Sequence, residues 1–478
     1  MLKEKDTRFY VVLAITLALM VGFQFLPPFG DITPDGMKVF GVFLGAIFAW
    51  IMGEIIWSAV LAFVMLSIYG FGGIAPNLSS FVGGQITGMM VTGMLVGYAL
   101  KKCGIISEIA MKITTSSWAR KGPWVLALAF FVTTALLSIF TMQALPIIII
   151  MWALFYEICE KTGIKPHNPY ASYVIVGIAV LANCGMIVMP YAAMTILCMG
   201  IEQGYYPALN YNLFSHVAIN FVLVTLYIIG FTLVGKLLIG SKVNISLDST
   251  EPYKMQLTKQ MKCMIFYVVL LVLLMLVPPL LPAGNPFGKL FGTTLGALGV
   301  LVILTLLMAL TRIDGQPLLD LNDGFKNGVE WPLFFLVGSA LLMSNYIADP
   351  KFGILSTITN LVDPLLGGHS ALYILVVAVI FCVIMTNTIN DIVTVTVLFP
   401  ICAPFFVAAG GNVEVIAYLF TAAAVHGVFM PSGSMIGATI HGNREWLTSA
   451  EAFKYVGIQE LVAIVVMAVV SIALFFLF

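Results

Sequence analysis

Apolar stretches long enough to form helices across a bilayer recur from one end of this chain to the other, and no other feature constrains its fold as strongly. A helix needs roughly 20 mainly apolar residues to cross the hydrocarbon core. Such stretches lie near 9–26, 37–52, 55–69, 123–140, 143–156, 171–199 and 214–238. After a polar interruption at 241–262 they resume near 263–281, 294–310, 371–385, 392–409, 415–429 and 456–478. Some merge and some stop short, so they predict an all-α polytopic membrane protein with about 11 transmembrane helices.

Charge supports this reading. The 478 residues hold only 22 basic and 22 acidic side chains, where a soluble chain of this length would carry about 120 charges. That excludes a soluble globular enzyme, and a hydrophobic fraction of 61% excludes a disordered scaffold. A formal net charge of zero offers no footprint for nucleic acid. The seven cysteines (Cys103, Cys159, Cys184, Cys198, Cys263, Cys382 and Cys402) show no paired spacing and read as packing thiols. The stretch at 9–26 follows Lys3, Lys5 and Arg8 without a small-residue cleavage site, so a retained helix is expected. The 241–262 interruption sets Lys242, Lys254, Lys259 and Lys262 against Asp248 and Glu251. By the positive-inside tendency it is cytoplasmic, as is the N-terminus, which suits a bacterial inner membrane or a plasma membrane.

The chain also repeats itself. Leu95-Val96-Gly97-Tyr98-Ala99-Leu100 matches Leu336-Val337-Gly338-Ser339-Ala340-Leu341, Phe140-Thr141-Met142-Gln143 meets Met385-Thr386-Asn387-Thr388, and Val188-Met189-Pro190 meets Phe429-Met430-Pro431. The three matches keep their order at a nearly constant offset, which reads as duplication of a whole half. The expected organisation is an extra helix at 1–36, a first repeat at 37–240, a linker at 241–261 and a second repeat at 262–478. Fused halves are the usual design of secondary transporters, and an odd number of crossings per half would set them inverted. The Gly-punctuated stretches 83–102 and 327–350 are barely long enough to cross, so re-entrant hairpins are expected there.

Chemistry is sought where helices break, because unwound backbone within lipid is tolerated only beside a cavity or inside protein. Residues 384–396 crowd Thr386, Asn387, Thr388, Asn390 and Asp391 between apolar runs. Met430-Pro431-Ser432-Gly433-Ser434 combines a helix-stopping Pro with a permissive Gly. Exposed half-helix ends would offer N–H groups to an anion and C=O groups to a cation. Isolated Ser, Thr or Asn residues also act as interhelical glue, yet a cluster this dense is costly to bury for packing alone. Asp391 has two readings, a functional carboxylate and a cap for the following helix. His426 reads either as a proton relay or as a packing histidine, Glu54 as an interfacial partner of Trp57, and His441 as loop. No Lys or Arg lies in either break, so an anion there would need helix dipoles, neutral donors and a co-bound cation.

This pattern resembles the divalent-anion/sodium symporter family of the ion transporter superfamily, whose members carry dicarboxylates, citrate or sulfate. Thr386-Asn387-Thr388 stands where that family has its second Ser-Asn-Thr signature, and Pro431-Ser432-Gly433-Ser434 stands where it has its second unwound loop. The resemblance implies sodium ligation by Thr386, Asn387 and Gly433, and a substrate carboxylate facing Asn387, Thr388 and Ser434. It also implies two inverted repeats, each with a re-entrant hairpin, an elevator-type motion and a homodimer. The first half departs from the pattern with Thr141-Met142-Gln143 and Asn183-Cys184-Gly185-Met186. Thr141 and Gln143 are its substrate candidates and Gly185 its cation candidate. A methionine thioether is a poor sodium ligand, so the departure points to a divergent member. Such a member would couple fewer sodium ions, or a proton through Asp391, to a smaller or less polar carboxylate.

The expected function is a secondary active transporter of a small anion, a di- or tricarboxylate, by cation symport with sodium as the coupling ion and no cofactor. The alternatives are a proton-coupled carrier or exchanger of a less polar or monocarboxylate substrate, and a membrane-embedded transferase. The scattered histidines supply no catalytic constellation for a transferase, a channel would need rings or a repeated carbonyl filter, and an ATP-driven pump would need a phosphate loop, which the chain lacks.

Overall fold

A computed structural model describes residues 2–478 except Gly53, Ala208, Asn210, 241–252, Ala283, Ile389, Asn390 and Ser432; it leaves undescribed the side chains of 2–6, Arg120, Pro279 and Ile392. The chain is built from helices. The first half runs α1 (Leu2–Gly22), α2 (Pro34–Ile51), α3 (Ile55–Ile68), α4 (Ile74–Val82), α5 (Gln85–Lys102), α6 (Ile105–Thr114), α7 (Pro123–Thr141), α8 (Ala144–Thr162), α9 (Pro169–Met186), α10 (Ala193–Tyr205) and α11 (Leu213–Ile239). The second runs α12 (Lys259–Leu276), α13 (Pro286–Gly288), α14 (Gly296–Leu310), α15 (Leu321–Asn327), α16 (Trp331–Ala348), α17 (Ile354–Leu366), α18 (Ala371–Thr386), α19 (Asp391–Ala408), α20 (Val413–Ala424), α21 (Met435–Gly442) and α22 (Ser449–Leu477). A small hairpin, Arg312–Ile313 with Gln316–Pro317, follows α14.

Among the described residues nine helices are long and apolar enough to span a bilayer, and counting two bent pairs raises this to eleven. Many starts carry their own signal: Thr33 and Asn168 cap helices that open on Pro34 and Pro169, and Thr448 forms a capping box with Glu451.

The stretches expected to double back, 83–102 and 327–350, do not. Each holds one unbroken helix, α5 and α16. Their glycines serve close packing instead: a Cβ on Gly97 would lie 2.6 Å from the Thr141 carbonyl oxygen, and one on Gly338 would lie 2.5 Å from that of Phe81. Chain reversals lie where broken helices were expected. The rings of Phe130 on α7 and Phe155 on α8 are 5.1 Å apart, although 25 helical residues would span about 37 Å if the helix ran on. The turn is Met142, in the left-handed region at φ 56°, followed by extended Gln143. In the second half α18 and α19 likewise pack along each other about the Asn387–Thr388 turn. Each hairpin is followed by a helix that unwinds and resumes, α9 to α10 across 187–192 and α20 to α21 across 425–434. His441, expected in a loop, lies buried in α21.

The two amphipathic helices that precede the hairpins are anchored crosswise. On α6, Glu108 accepts hydrogen bonds from the Tyr253 hydroxyl at 2.6 Å and the Gln256 amide at 2.9 Å, both ahead of α12. On α17, Thr357 accepts from the Asp31 amide at 2.8 Å, and Asn360 donates to the Asp31 carboxylate at 2.8 Å, ahead of α2. The Tyr253 and Gln256 donors hold the Glu108 carboxyl below its ordinary range. A depressed folded value adds stability at neutral pH, and that stability is lost as pH falls through the folded value. Glu108→Gln is therefore expected to melt below wild type at neutral pH, the gap closing in strong acid. Thermal unfolding in detergent checks this, and equal midpoints at neutral pH would dismiss the clamp.

Candidate functional site

The tip of the first hairpin, the start of α19 and both unwound stretches border one cavity of about 580 Å³. The beginnings of five helices line it: α8 through Gln143 to Pro146, α10 through Tyr191 to Met194, α16 through Val329 to Leu333, α19 through Asp391, and α21 through Ser434 to Ile436. No cap side chain bonds the first-turn amides of α8, α10 or α16, whereas Ser434 caps α21 by accepting from the Gly437 amide at 3.0 Å. Free first-turn N–H groups and the positive end of the helix dipole suit an anion. Among the described residues no lysine or arginine lines the cavity, and the carboxylates that do are Asp391 and Glu330.

The first-half candidates divide. Thr141 and Gln143 line the cavity, with the Thr141 hydroxyl donating to the Leu137 carbonyl at 2.8 Å. Gly185 lies off the cavity, packed on α7 so that a Cβ would come within 2.9 Å of the Ala135 carbonyl oxygen. Asn183 lines the cavity and donates to the Val425 carbonyl at 2.6 Å, tying the first broken helix to the second unwound stretch.

The second-half candidates converge beneath the cavity. The Thr386 hydroxyl lies 2.9 Å from the Asp391 carboxylate and 2.7 Å from the Ala424 carbonyl. Asn387 is used as a clasp: its side-chain oxygen accepts from the Phe429 amide at 2.7 Å and its nitrogen donates to the Val383 carbonyl at 2.8 Å. Gly427 abuts the Asp391 carboxylate and the Thr386 carbonyl, while a Cβ on Gly433 would lie 2.8 Å from the Gly427 carbonyl oxygen and 3.2 Å from that of Asn387. Oxygens of Thr386, Asn387, Asp391 and Gly427 thus crowd one small region, the chemistry a hard cation requires. Thr388 is exposed, its hydroxyl donating to the Met385 carbonyl, and it does not line the cavity.

Three further acidic groups complete the picture. Glu54 accepts from the Trp57 indole at 2.7 Å, as its neighbourhood implied. His426 and Glu460, missed as a pair, lie buried 3.2 Å apart with Tyr227 3.3 Å from the other imidazole nitrogen. Glu202 is also buried and was missed. A lone carboxylate inside an apolar span is itself a signal, and Glu460 within 456–478 carried it.

The fold and site define a polytopic secondary transporter, a carrier and no enzyme. Residues 4–425 match the citrate transporter (CitMHS) family, and the chain belongs to it. Its fold is similar to the Alcanivorax borkumensis YdaH transporter, at 14% identity and TM-score 0.59 over 84% of this chain and 88% of that one. It is also similar to MtrF of Neisseria gonorrhoeae, described among antimetabolite efflux pumps, at 13% identity and TM-score 0.57 over 86% and 84% of the two chains. No curated relative matches the sequence individually. The resemblance read from the second signature thus pointed to the right superfamily.

Gly427→Ala tests the oxygen cluster. Its methyl group would strike the Asp391 carboxylate and the Thr386 carbonyl, an overpacking that costs about 1–3 kcal/mol. The expected outcome is a folded but less stable protein with transport reduced at least tenfold; wild-type uptake would remove the cluster from the mechanism.

Proposed function

We propose that this carrier moves a small carboxylate anion, a di- or tricarboxylate such as citrate, together with a cation, sodium first. The observation that carries the proposal is the convergence of five helix beginnings on a cavity without a basic side chain. Each end contributes about 0.3–1 kcal/mol toward an anion, more where it is partly buried. Both halves contribute, α8 and α10 from one and α19 and α21 from the other. Gln143 and Ser434 supply neutral donors for the carboxylates. The cation belongs at Thr386, Asn387, Asp391 and the Gly427–Gly433 turn.

A second reading has a specific observation behind it. Asp391 both lines the cavity and bonds Thr386, so a proton on Asp391 can replace the sodium ion. The first-half wall is soft, with Met142, Met186 and Met194 facing the cavity, and this favours a cargo with an apolar portion. Matched hairpins, matched unwound stretches and crosswise anchors support two inverted repeats, with the hairpin-bearing part moving as an elevator. The resemblance adds a homodimer, and the basic residues near the N-terminus and in 241–262 favour a cytoplasmic N-terminus in a bacterial inner membrane.

Labelled citrate uptake into proteoliposomes, with sodium, potassium or a pH gradient as the driving force, tests the reading. Uptake at least tenfold higher with inward sodium supports sodium symport; uptake driven by pH alone replaces sodium with the proton. Asp391→Asn is expected to abolish either form of coupled accumulation. Absence of uptake for citrate and for smaller carboxylates would refute the anion reading.

A further inference from the structure

Glu202, on α10, is a carboxyl that the cavity does not use. It is fully buried, one of its oxygens has no partner, and the other lies 3.4 Å from the Thr421 hydroxyl of α20. No lysine or arginine among the described residues bonds it. The titratable groups around it are Cys198 on its own helix, Tyr211 in the following loop, and Cys382 on α18. Beyond Tyr211 stand Tyr418 and His216, with Asp391 on the far side of Cys198. None of these neighbours is a fixed cation.

Burial without a cationic partner favours the neutral acid. His216 donates from Nε2 to the Ile187 carbonyl at 2.8 Å, so its Nδ1 accepts from the Tyr211 hydroxyl at 3.0 Å. The Thr421 hydroxyl can donate to the Glu202 carboxyl at 3.4 Å or to the Ala417 carbonyl at 3.1 Å, and in the latter case can accept from the protonated acid. An ionised Glu202 would hold its charge with one long hydrogen bond from Thr421 and one bare oxygen, which is costly in a buried site. Tyr211 lies 3.4 Å from Thr421, so the charge on Glu202 reaches His216 and thereby Ile187, the first residue of the unwound stretch beside the cavity. On its other side α10 presents Gly200 and Gly204 to Leu341 and Ser344 of α16, a close contact to which α10 brings no side chain at these two positions.

We propose that Glu202 is a proton-carrying site separate from the cavity. Its carboxylate takes up one proton from water to give the neutral acid, and returns that proton to water when α10 moves. The inference rests on the transporter class and is independent of which anion or cation occupies the cavity.

Infrared difference spectra of the purified protein provide a test that needs no cargo. A protonated-carboxyl C=O band is expected that bleaches as pH is raised and is missing in Glu202→Gln, an isosteric mimic of the neutral acid. A Glu202 band that persists unchanged across the accessible pH range would overturn the proposal and leave a structural acid. In proteoliposomes with citrate as probe, Glu202→Gln should keep citrate–citrate exchange within twofold of wild type while losing at least tenfold of accumulation driven by a pH gradient. Wild-type accumulation by the variant would overturn the proposal. Should wild type move no citrate at all, the cargo reading fails, and the infrared titration alone decides for or against Glu202.

Discussion

Backbone amides and carbonyls released inside a bilayer must find partners within the protein, because lipid offers none. Each half of this carrier unwinds a helix at mid-chain and thereby takes on that obligation. The unwound stretch at 425–434 meets it with side chains from elsewhere: Asn183 bonds the Val425 carbonyl, Asn387 accepts from the Phe429 amide, and His441 bonds the Phe429 carbonyl. In the first half Thr195 and His216 both serve the Ile187 carbonyl. These few bonds allow the helix beginnings of α10 and α21 to point into a cavity rather than stay sealed within continuous helices. Most of the other functional features depend on that arrangement.

The same bonds join the halves. Asn183 and Cys184 on one broken helix touch Val425 and His426 on the other, residues separated by nearly the offset that relates the sequence repeats. Contacts between near-equivalent positions are what a two-fold axis passing between the halves would produce. The crosswise anchoring of α6 and α17 follows the same pattern, since each is held by the segment that opens the opposite half.

Much of this was legible in the sequence. Spans follow from apolar runs. The polar cluster at 386–391 and the Pro-Gly break at 431–433 pointed to stretches that the structure sets at or beneath the cavity, on the argument that amides and hydroxyls packed so densely into an apolar chain are costly to bury. The hairpins were misplaced for a physical reason. Glycine marks both turns and close helix contacts, and Gly93, Gly97 and Gly338 turned out to be contacts. The true reversal at Met142–Gln143 carries no glycine and depends on one left-handed methionine, which sequence gives no ground to expect. Glu330 and the start of α16 were equally invisible, because their place at the cavity comes from packing between distant helices.

Electrostatics then determines what the cavity can hold. A helix end is worth roughly half an elementary charge, so five of them supply at most about +2.5, reduced by whatever solvent screens. Asp391 and Glu330 subtract from that when ionised. A fully ionised tricarboxylate brings three negative charges into the same space, and no lysine or arginine is present to balance them. The deficit is large because desolvated charge is costly. A positive companion beside Asp391 removes both problems at once, neutralising the protein's own carboxylate and part of the cargo's charge. In the proposed function, binding of the anion and of the cation would then be thermodynamically linked at this site.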